Sequence, residues 1–412
     1  MLSNRLGGPG RSDDRADDGV RDTNDDAQLS KLSCVRLGYF QDSFVHHFVR
    51  RPTRRSPLIN RGYYSRYAAL RSLLLQFLAL GLSRPAKDTP SGAFQSQQGA
   101  AGPKDSAADQ VPQPAQQLEA GSRKPEPQSQ QQQQAQQRQA APGKRQVLVL
   151  GAGYDTTFFQ LAKEGVQADK YVELDFKQVT AKKAAAIQQV PELLACIGGQ
   201  QAVGSIDPGE GRVLTERYCL LPVDLRDLEQ LKAALQEAGL DPAAPTYVLS
   251  ECVLVYLQPQ HSQQLVRWLA EHLQCAAMAV YEQIQPDDAF GRQMLLNLES
   301  RGCALLGIEA TPTLDAQQRR FTSCGWHRAD AHTMQHVYSD CIDPADRRRI
   351  ERLEMFDEFE EWHLIQQHYC IAVGIKDRTG LLDRFGLPHY AAQPFVPPAV
   401  PAALHLPPRF TT

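Results

Sequence analysis

Residues 147–157 read V-L-V-L-G-A-G-Y-D-T-T, and residues 171–175 read Y-V-E-L-D. Val147 to Leu150 is a short, wholly apolar run, which predicts a strand covered on both faces. Gly151 and Gly153 end it in a tight turn, and Asp155 and Thr156 stand where the next helix wants its cap. Tyr171 to Leu174 reads as a second buried strand with Asp175 at its carboxyl end. A Gly-rich turn after one strand and an acid after the next form the usual nucleoside site of a doubly wound sheet. The glycines admit the ligand to the backbone, and the acid accepts from ribose hydroxyls. The turn matches neither general fingerprint in full. A dinucleotide site wants a third Gly where position 156 is Thr, and the other common pattern wants an acid where position 149 is Val.

Downstream, strand and helix alternate. Lys177 to Gln189 predicts a helix, 196–211 a Gly-rich loop, and Arg217 to Val223 a third strand ending in Asp224-Leu225. Further helices are predicted over Leu228 to Ala238, Pro259 to Leu273, 286–301 and 313–324, with a long charged one over 344–365. Further strands are predicted over Pro245 to Ser250, running into E-C-V-L-V-Y-L, and over Ala276 to Glu282, Trp326 to Ala331 and His368 to Ile375. This alternation predicts a doubly wound, mostly parallel, seven-stranded α/β sheet. Ligands of such sheets lie at the carboxyl ends of the strands. Those ends carry Gly151 and Gly153, then Asp175, Asp224 and Glu251. No Lys or Arg sits beside the Gly turn, which disfavours a phosphate ligand. Three carboxylates suit a ligand with hydroxyls, an exocyclic amine and positive charge, and S-adenosylmethionine has all three.

Upstream, residues 1–28 are polar and predict disorder. Residues 29–82 predict helices with two apolar faces, Phe44, Val45, Phe48 and Val49 on one, Leu70, Leu73, Leu74, Phe77 and Leu78 on the other, with Asn60 as a cap between them. Lys31, Arg61 and Arg66 flank aromatic positions there and can face an anion. Residues 83–145 are low-complexity, rich in Pro, Gln, Ala, Ser and Gly, and read as an inserted loop in the fold. The core then spans 146–376, and 377–412 is a Pro-rich tail expected to be loose.

Composition sets limits. Of 412 residues, 44 are basic and 47 acidic, a near balance that offers no field for nucleic acid or membrane. The nine cysteines form no C-x-x-C, which argues against a disulfide framework or zinc site and favours a reducing compartment. The most apolar run, Ala68 to Leu82, is too short to span a bilayer and carries Arg71 and Gln76. A soluble cytosolic or nuclear protein is expected. His332 and His336 stand at i, i+4 without the Glu of H-E-x-x-H, so no metal is expected. Cys252 beside Glu251 has no evident His partner, and Asp340 to Glu361 reads as a charge-laced, solvated helix.

Several segments carry a resemblance. They are G-Y-F-Q-D-S-F-V-H-H-F-V-R, I-N-R-G-Y-Y-S-R, L-G-A-G-Y-D-T-T-F, V-E-L-D-F, D-L-R-D-L, S-E-C-V-L-V-Y, Y-E-Q and H-Y-C, in this order over about 30–82 and 146–376. Here the chain resembles the leucine carboxyl methyltransferases, which methylate the C-terminal leucine carboxylate of type 2A protein phosphatase catalytic subunits. The resemblance implies a class I S-adenosylmethionine-dependent methyltransferase fold with 29–82 as a helical lid. It implies Gly151 and Gly153 against the adenosyl group, Asp175 on the ribose hydroxyls, Asp224 and Leu225 at the adenine, and Glu251 at the methionine end. Lys31 and Arg66 would reach from the lid to the methionine or leucine carboxylate, with Arg66 and Tyr256 nearest the chemistry. The implied partner is the phosphatase tail, bound by a monomer. Three alternatives stand beside this: a carboxyl methyltransferase of the tRNA wybutosine type, a non-catalytic module that binds the phosphatase tail, and a nicotinamide dehydrogenase.

Overall fold

The computed structural model describes residues 10–81 and 144–390. The insertion expected at 83–145 therefore lies outside the described residues except for Lys144 and Arg145, as does the tail from 391. The sheet contains β1 (Gln146–Leu150), β2 (Lys170–Asp175), β3 (Ile206–Asp207), β4 (Arg212–Leu214), β5 (Tyr218–Pro222), β6 (Thr246–Glu251), β7 (Ala276–Gln283), β8 (Arg328–Thr333) and β9 (Tyr369–Lys376). Their order is β3-β4-β5-β2-β1-β6-β7-β9-β8. From β5 through β7 every neighbouring pair is parallel. Only the edges are antiparallel, β3 and β4 on one side and β9 and β8 on the other.

β1 is buried along its whole length, as its unbroken apolar run requires. Its side chains alternate between two cores. Val147 and Val149 join Tyr171, Tyr247 and the apolar face of α2 (Pro57–Leu78), in which Leu70, Leu73, Leu74, Phe77 and Leu78 are all buried. Leu148 and Leu150 join Val172, Leu174 and the helices Leu228–Glu237 and Pro259–His272. The two sheet faces are thus both covered, and the parallel strands end together on one side.

Six expectations need correction. Phe44 to Val49 forms no helical face, since Val45–Phe48 is a single 3-10 turn and Val49 is extended. Among the described residues the sheet has nine strands, because 206–214 holds a two-residue and a three-residue strand on the exposed edge, too short to show a period of two. A helix, α1 (Gly10–Leu37), runs through the described part of the stretch expected to be disordered. Its polar residues find partners elsewhere in the chain, as Asp26 does with Arg55 and Arg301. The cap of α2 is Ser56, with Pro57 in the first turn. Asn60 is instead buried inside the helix, donating to the Arg55 carbonyl and to Glu354. The charged stretch forms two short helices, Pro344–Ile350 and Phe359–Gln367. Between them Glu354 is no solvated residue, since it takes bonds from Tyr39, Asn60 and Arg54 and its side chain is 3% exposed. Finally, 377–390 is packed, with Leu382 and Phe385 buried in the first core. At the ends of the undescribed stretch, Arg145 donates from Nη2 to the Leu80 carbonyl. Among the described residues no helix is long and apolar enough to cross a membrane.

Candidate active site

A cavity of ≈570 Å³ opens over the carboxyl ends of β5, β2, β1 and β6, roofed by α1 and α2. The nine residues given a donor or catalytic role from the sequence all line it: Lys31, Arg66, Gly151, Gly153, Asp175, Asp224, Leu225, Glu251 and Tyr256.

Gly151 leaves β1 with φ +65°, and a Cβ there would come 2.4 Å from Val253 Cγ2. Only glycine fits both the backbone and the space. Gly153 follows at φ +52° and lies against the Asn24 side chain of α1, 2.4 Å from where its Cβ would stand. The Gly153 N–H donates to Asp175 Oδ2 at 2.7 Å, and the Phe176 N–H donates to Oδ1 at 2.7 Å. The backbone of the Gly turn therefore fixes the acid at the end of β2, while each carboxylate oxygen keeps a lone pair for a ligand. Burial pushes the Asp175 carboxyl up to about 6, against the pull of those two N–H groups.

The turn is held from below by a buried ion pair. Lys183 reaches from the helix Lys177–Gln189 to Glu173 on β2, with both side chains fully buried. It also donates to the Asp155 carbonyl at 2.7 Å, and the Tyr218 hydroxyl donates to Glu173 at 2.7 Å. Asp155 has two tasks. Its Oδ2 accepts from the Thr157 N–H at 3.1 Å, at the start of the next helix, and its Oδ1 pairs with Lys31 at 3.0 Å. Burial opposes the ionised carboxyl, but Lys31 and Lys183 outweigh it and hold Asp155 well below the usual carboxylate range.

At the end of β6, Glu251 Oε2 accepts from Arg66 Nε at 2.6 Å and lies 2.5 Å from Nη2. The guanidinium also lies over the Tyr281 ring, 4.6 Å from its centroid. Cys252 follows with φ +54°, a strained conformation for a residue with a side chain. Burial pushes its thiol up to about 12, so it is protonated at neutral pH and no nucleophile. Asp224 is clasped by Arg226, whose Nε lies 2.9 and 3.0 Å from the two carboxylate oxygens. Burial would raise that carboxyl, and the Arg226 bonds outweigh it to leave the group lowered. Arg61 faces no anion in the cavity and stacks 3.7 Å over the Phe356 ring. Tyr256 lines the cavity half-buried, on the tight turn Leu254–Tyr256.

Sequence reasoning missed Asn24, Gln28, Asp155, Tyr63 and Tyr281, which share the cavity wall. Asp155 had a signal, an acid two residues past G-x-G. Asn24 and Gln28 had none, because their stretch reads as disordered by composition. Gln28 is nonetheless 3% exposed, and its buried Oε1 has no hydrogen-bond partner. An orphaned acceptor beside three carboxylates fits a ligand rich in N–H and O–H donors.

The family profile for leucine carboxyl methyltransferase matches residues 89–270. Over 367 residues the chain is 46% identical to the leucine carboxyl methyltransferase 1 homolog of Arabidopsis thaliana, covering 89% of this chain and 92% of that protein. To leucine carboxyl methyltransferase 1 of Rattus norvegicus it is 32% identical over 356 residues, 86% of this chain and 89% of that one. To tRNA wybutosine-synthesizing protein 4 of Homo sapiens it is 35% identical over 396 residues, which are 96% of this chain but 49% of that protein. The fold is that of a class I methyltransferase, and its methyl donor is S-adenosylmethionine. Within that class, the chain belongs to the leucine carboxyl methyltransferase family.

Proposed function

We propose that this enzyme esterifies the C-terminal leucine α-carboxylate of type 2A protein phosphatase catalytic subunits. The observation that carries the reading is the pair of cations, Lys31 and Arg66, set in the wall of a cavity whose floor is acidic. The acids suit the donor and the cations suit a carboxylate acceptor. Asp175 takes the ribose hydroxyls, Asp224 and Leu225 border the adenine, and Glu251 faces the amino-acid end of the donor. Gly151 and Gly153 admit it to the backbone.

A C-terminal carboxylate ordinarily titrates at about 3.5 and is already ionised at neutral pH, so the reaction needs no general base. The donor supplies a methyl group on a sulfonium. Its transfer to one carboxylate oxygen, with loss of the methyl–sulfur bond, would leave a methyl ester and a neutral thioether. Arg66 serves by position. Glu251 occupies Nε and Nη2, which leaves Nη1 for the acceptor. Being always protonated, it orients the carboxylate and cannot remove a proton. Tyr256, with Leu306 and Ile365 elsewhere on the lining, offers the leucine side chain an apolar seat. The roof of α1 and α2 over the reactants limits water there, which strengthens the attraction between carboxylate and sulfonium.

The test is transfer of labelled methyl to phosphatases ending in leucine or in a substitute. Label should enter only the leucine-ended protein and be released by mild base, as an ester is. Transfer to a wybutosine-precursor tRNA with none to phosphatase would replace this reading by the other. The 46% identity to the Arabidopsis relative supports a leucine carboxyl acceptor.

Donor affinity should also depend on pH. Ribose hydroxyls bond the ionised form of Asp175, whose carboxyl in the free protein titrates at about 6. Binding therefore lowers that pKa, and affinity must rise with pH through about 6 and fall below it, approaching roughly tenfold per unit on the acid side. Calorimetric titration of the donor at a series of pH values on both sides of that point reads this out. A flat profile would remove Asp175 from the donor site.

A further inference from the structure

A second cluster lies away from the cavity, at the edge of the sheet beyond β8. His336 stands in the short helix Met334–His336, Cys341 ends the π-helical turn Val337–Cys341, and His389 lies on the segment that follows β9. One ligand atom from each, two imidazole nitrogens and one sulfur, lies within 4.8 Å of the others. None of the three lines the donor cavity. Cys341 is 2% exposed.

The orientation of His336 is specific. Its Nδ1 lies 3.2 Å from Asp340 Oδ2, and its buried Nε2 has no hydrogen-bond partner. With Nδ1 turned to that carboxylate and carrying the ring proton, the lone pair stands on Nε2, the arrangement found where a histidine ligates a metal. His332 stacks on the same ring, with centroids 4.7 Å apart and planes 24° apart, and fixes its plane. His389 is drawn to the spot by its neighbour, since the Tyr390 N–H donates to the Asp340 carbonyl at 3.1 Å.

We propose that His336, Cys341 and His389 bind one zinc-class divalent ion, with the fourth position taken by water or by a rotated His332. Two nitrogens and a thiolate match the preference of borderline-soft metals. Ligand atoms around tetrahedral zinc lie roughly 3.3–3.7 Å apart, given bonds of about 2.0–2.3 Å. Closing the present spacing needs side-chain movements on the order of 1 Å, within reach of the exposed His389. The spacing of His332 and His336 did not suggest this site, because Cys341 and His389 complete it from other elements. The ion would clip the segment after β9 to the sheet edge.

The test uses the full chain, stripped with a chelator and titrated with zinc(II) alone, then with cobalt(II) alone. One equivalent should bind tightly, and cobalt should show thiolate-to-metal charge-transfer absorption. His389→Ala, an exposed position that threatens no packing, should abolish the tight equivalent, as should Cys341→Ser. Asp340→Asn should weaken it by about 10–100-fold. If the stripped chain takes up no metal, or if His389→Ala and Cys341→Ser keep the same tight equivalent, the site does not exist and any binding belongs to the other thiols.

Discussion

Arg66→Ala is expected to lower methyl transfer by about 10²-fold or more while leaving the fold intact, because it removes the group proposed to align the acceptor. The loss should be double. The guanidinium holds Glu251 by two of its nitrogens, so without it Glu251 is free to turn and the amino-acid end of the donor loses its register. It also removes the cation from over the ring of Tyr281. Arg66→Lys should recover little, since an ammonium cannot hold Glu251 and an acceptor carboxylate with the same planar fork. Turnover is measured on leucine-ended phosphatase, with circular dichroism and melting as the control for folding. An Arg66→Ala enzyme with undiminished kcat/KM would strip Arg66 of its assignment.

Lys183→Met should give the largest loss of stability, about 3–5 kcal/mol, by leaving Glu173 buried without its cation. The physical reason is asymmetry. The intact pair contributes little net, but one ion without the other is expensive. Glu173 would keep only the Tyr218 hydroxyl, and its Oε1 is already unpartnered. Burial already raises this carboxyl above its usual value, despite the lysine. A folded-state pKa above the unfolded one means stability is greater at low pH and is lost as pH rises through the folded value. The penalty in Lys183→Met should therefore shrink as the solution is acidified and grow toward neutrality. Urea denaturation at several pH values measures it, and an unchanged midpoint at neutral pH would show that the pair holds nothing together. Lys183→Met combined with Glu173→Gln should recover part of the loss.

The strands that carry the site were legible because each announces itself twice. V-L-V-L is apolar throughout, and the residue that ends each strand is a glycine or an acid with no reason to be buried except a ligand. Asp175, Asp224 and Glu251 could thus be placed at one edge before any geometry was known, and the parallel order of β5, β2, β1 and β6 brings them there. The roof was less legible. Composition shows how much apolar area a segment can bury, and α1 buries little near its start. Its order comes from polar pairings such as Asp26 with Arg55 and Arg301, between residues far apart in the chain. No local pattern encodes such pairings. The same holds for Glu354, which reads as one more charge on a charged helix yet is nearly buried among Tyr39, Asn60 and Arg54. Lys31 and Arg66 were singled out as cations able to face an anion. Their carboxylate partners, Asp155 and Glu251, came only from the fold.

The bond from Arg145 to the Leu80 carbonyl holds together two points of the chain that stand 65 positions apart. The closure entropy of a stretch joining two such fixed points grows only with the logarithm of its length. The junction is thus a natural port. A fluorescent domain or affinity handle spliced between Gly81 and Lys144 would ride on the enzyme without disturbing the donor cavity.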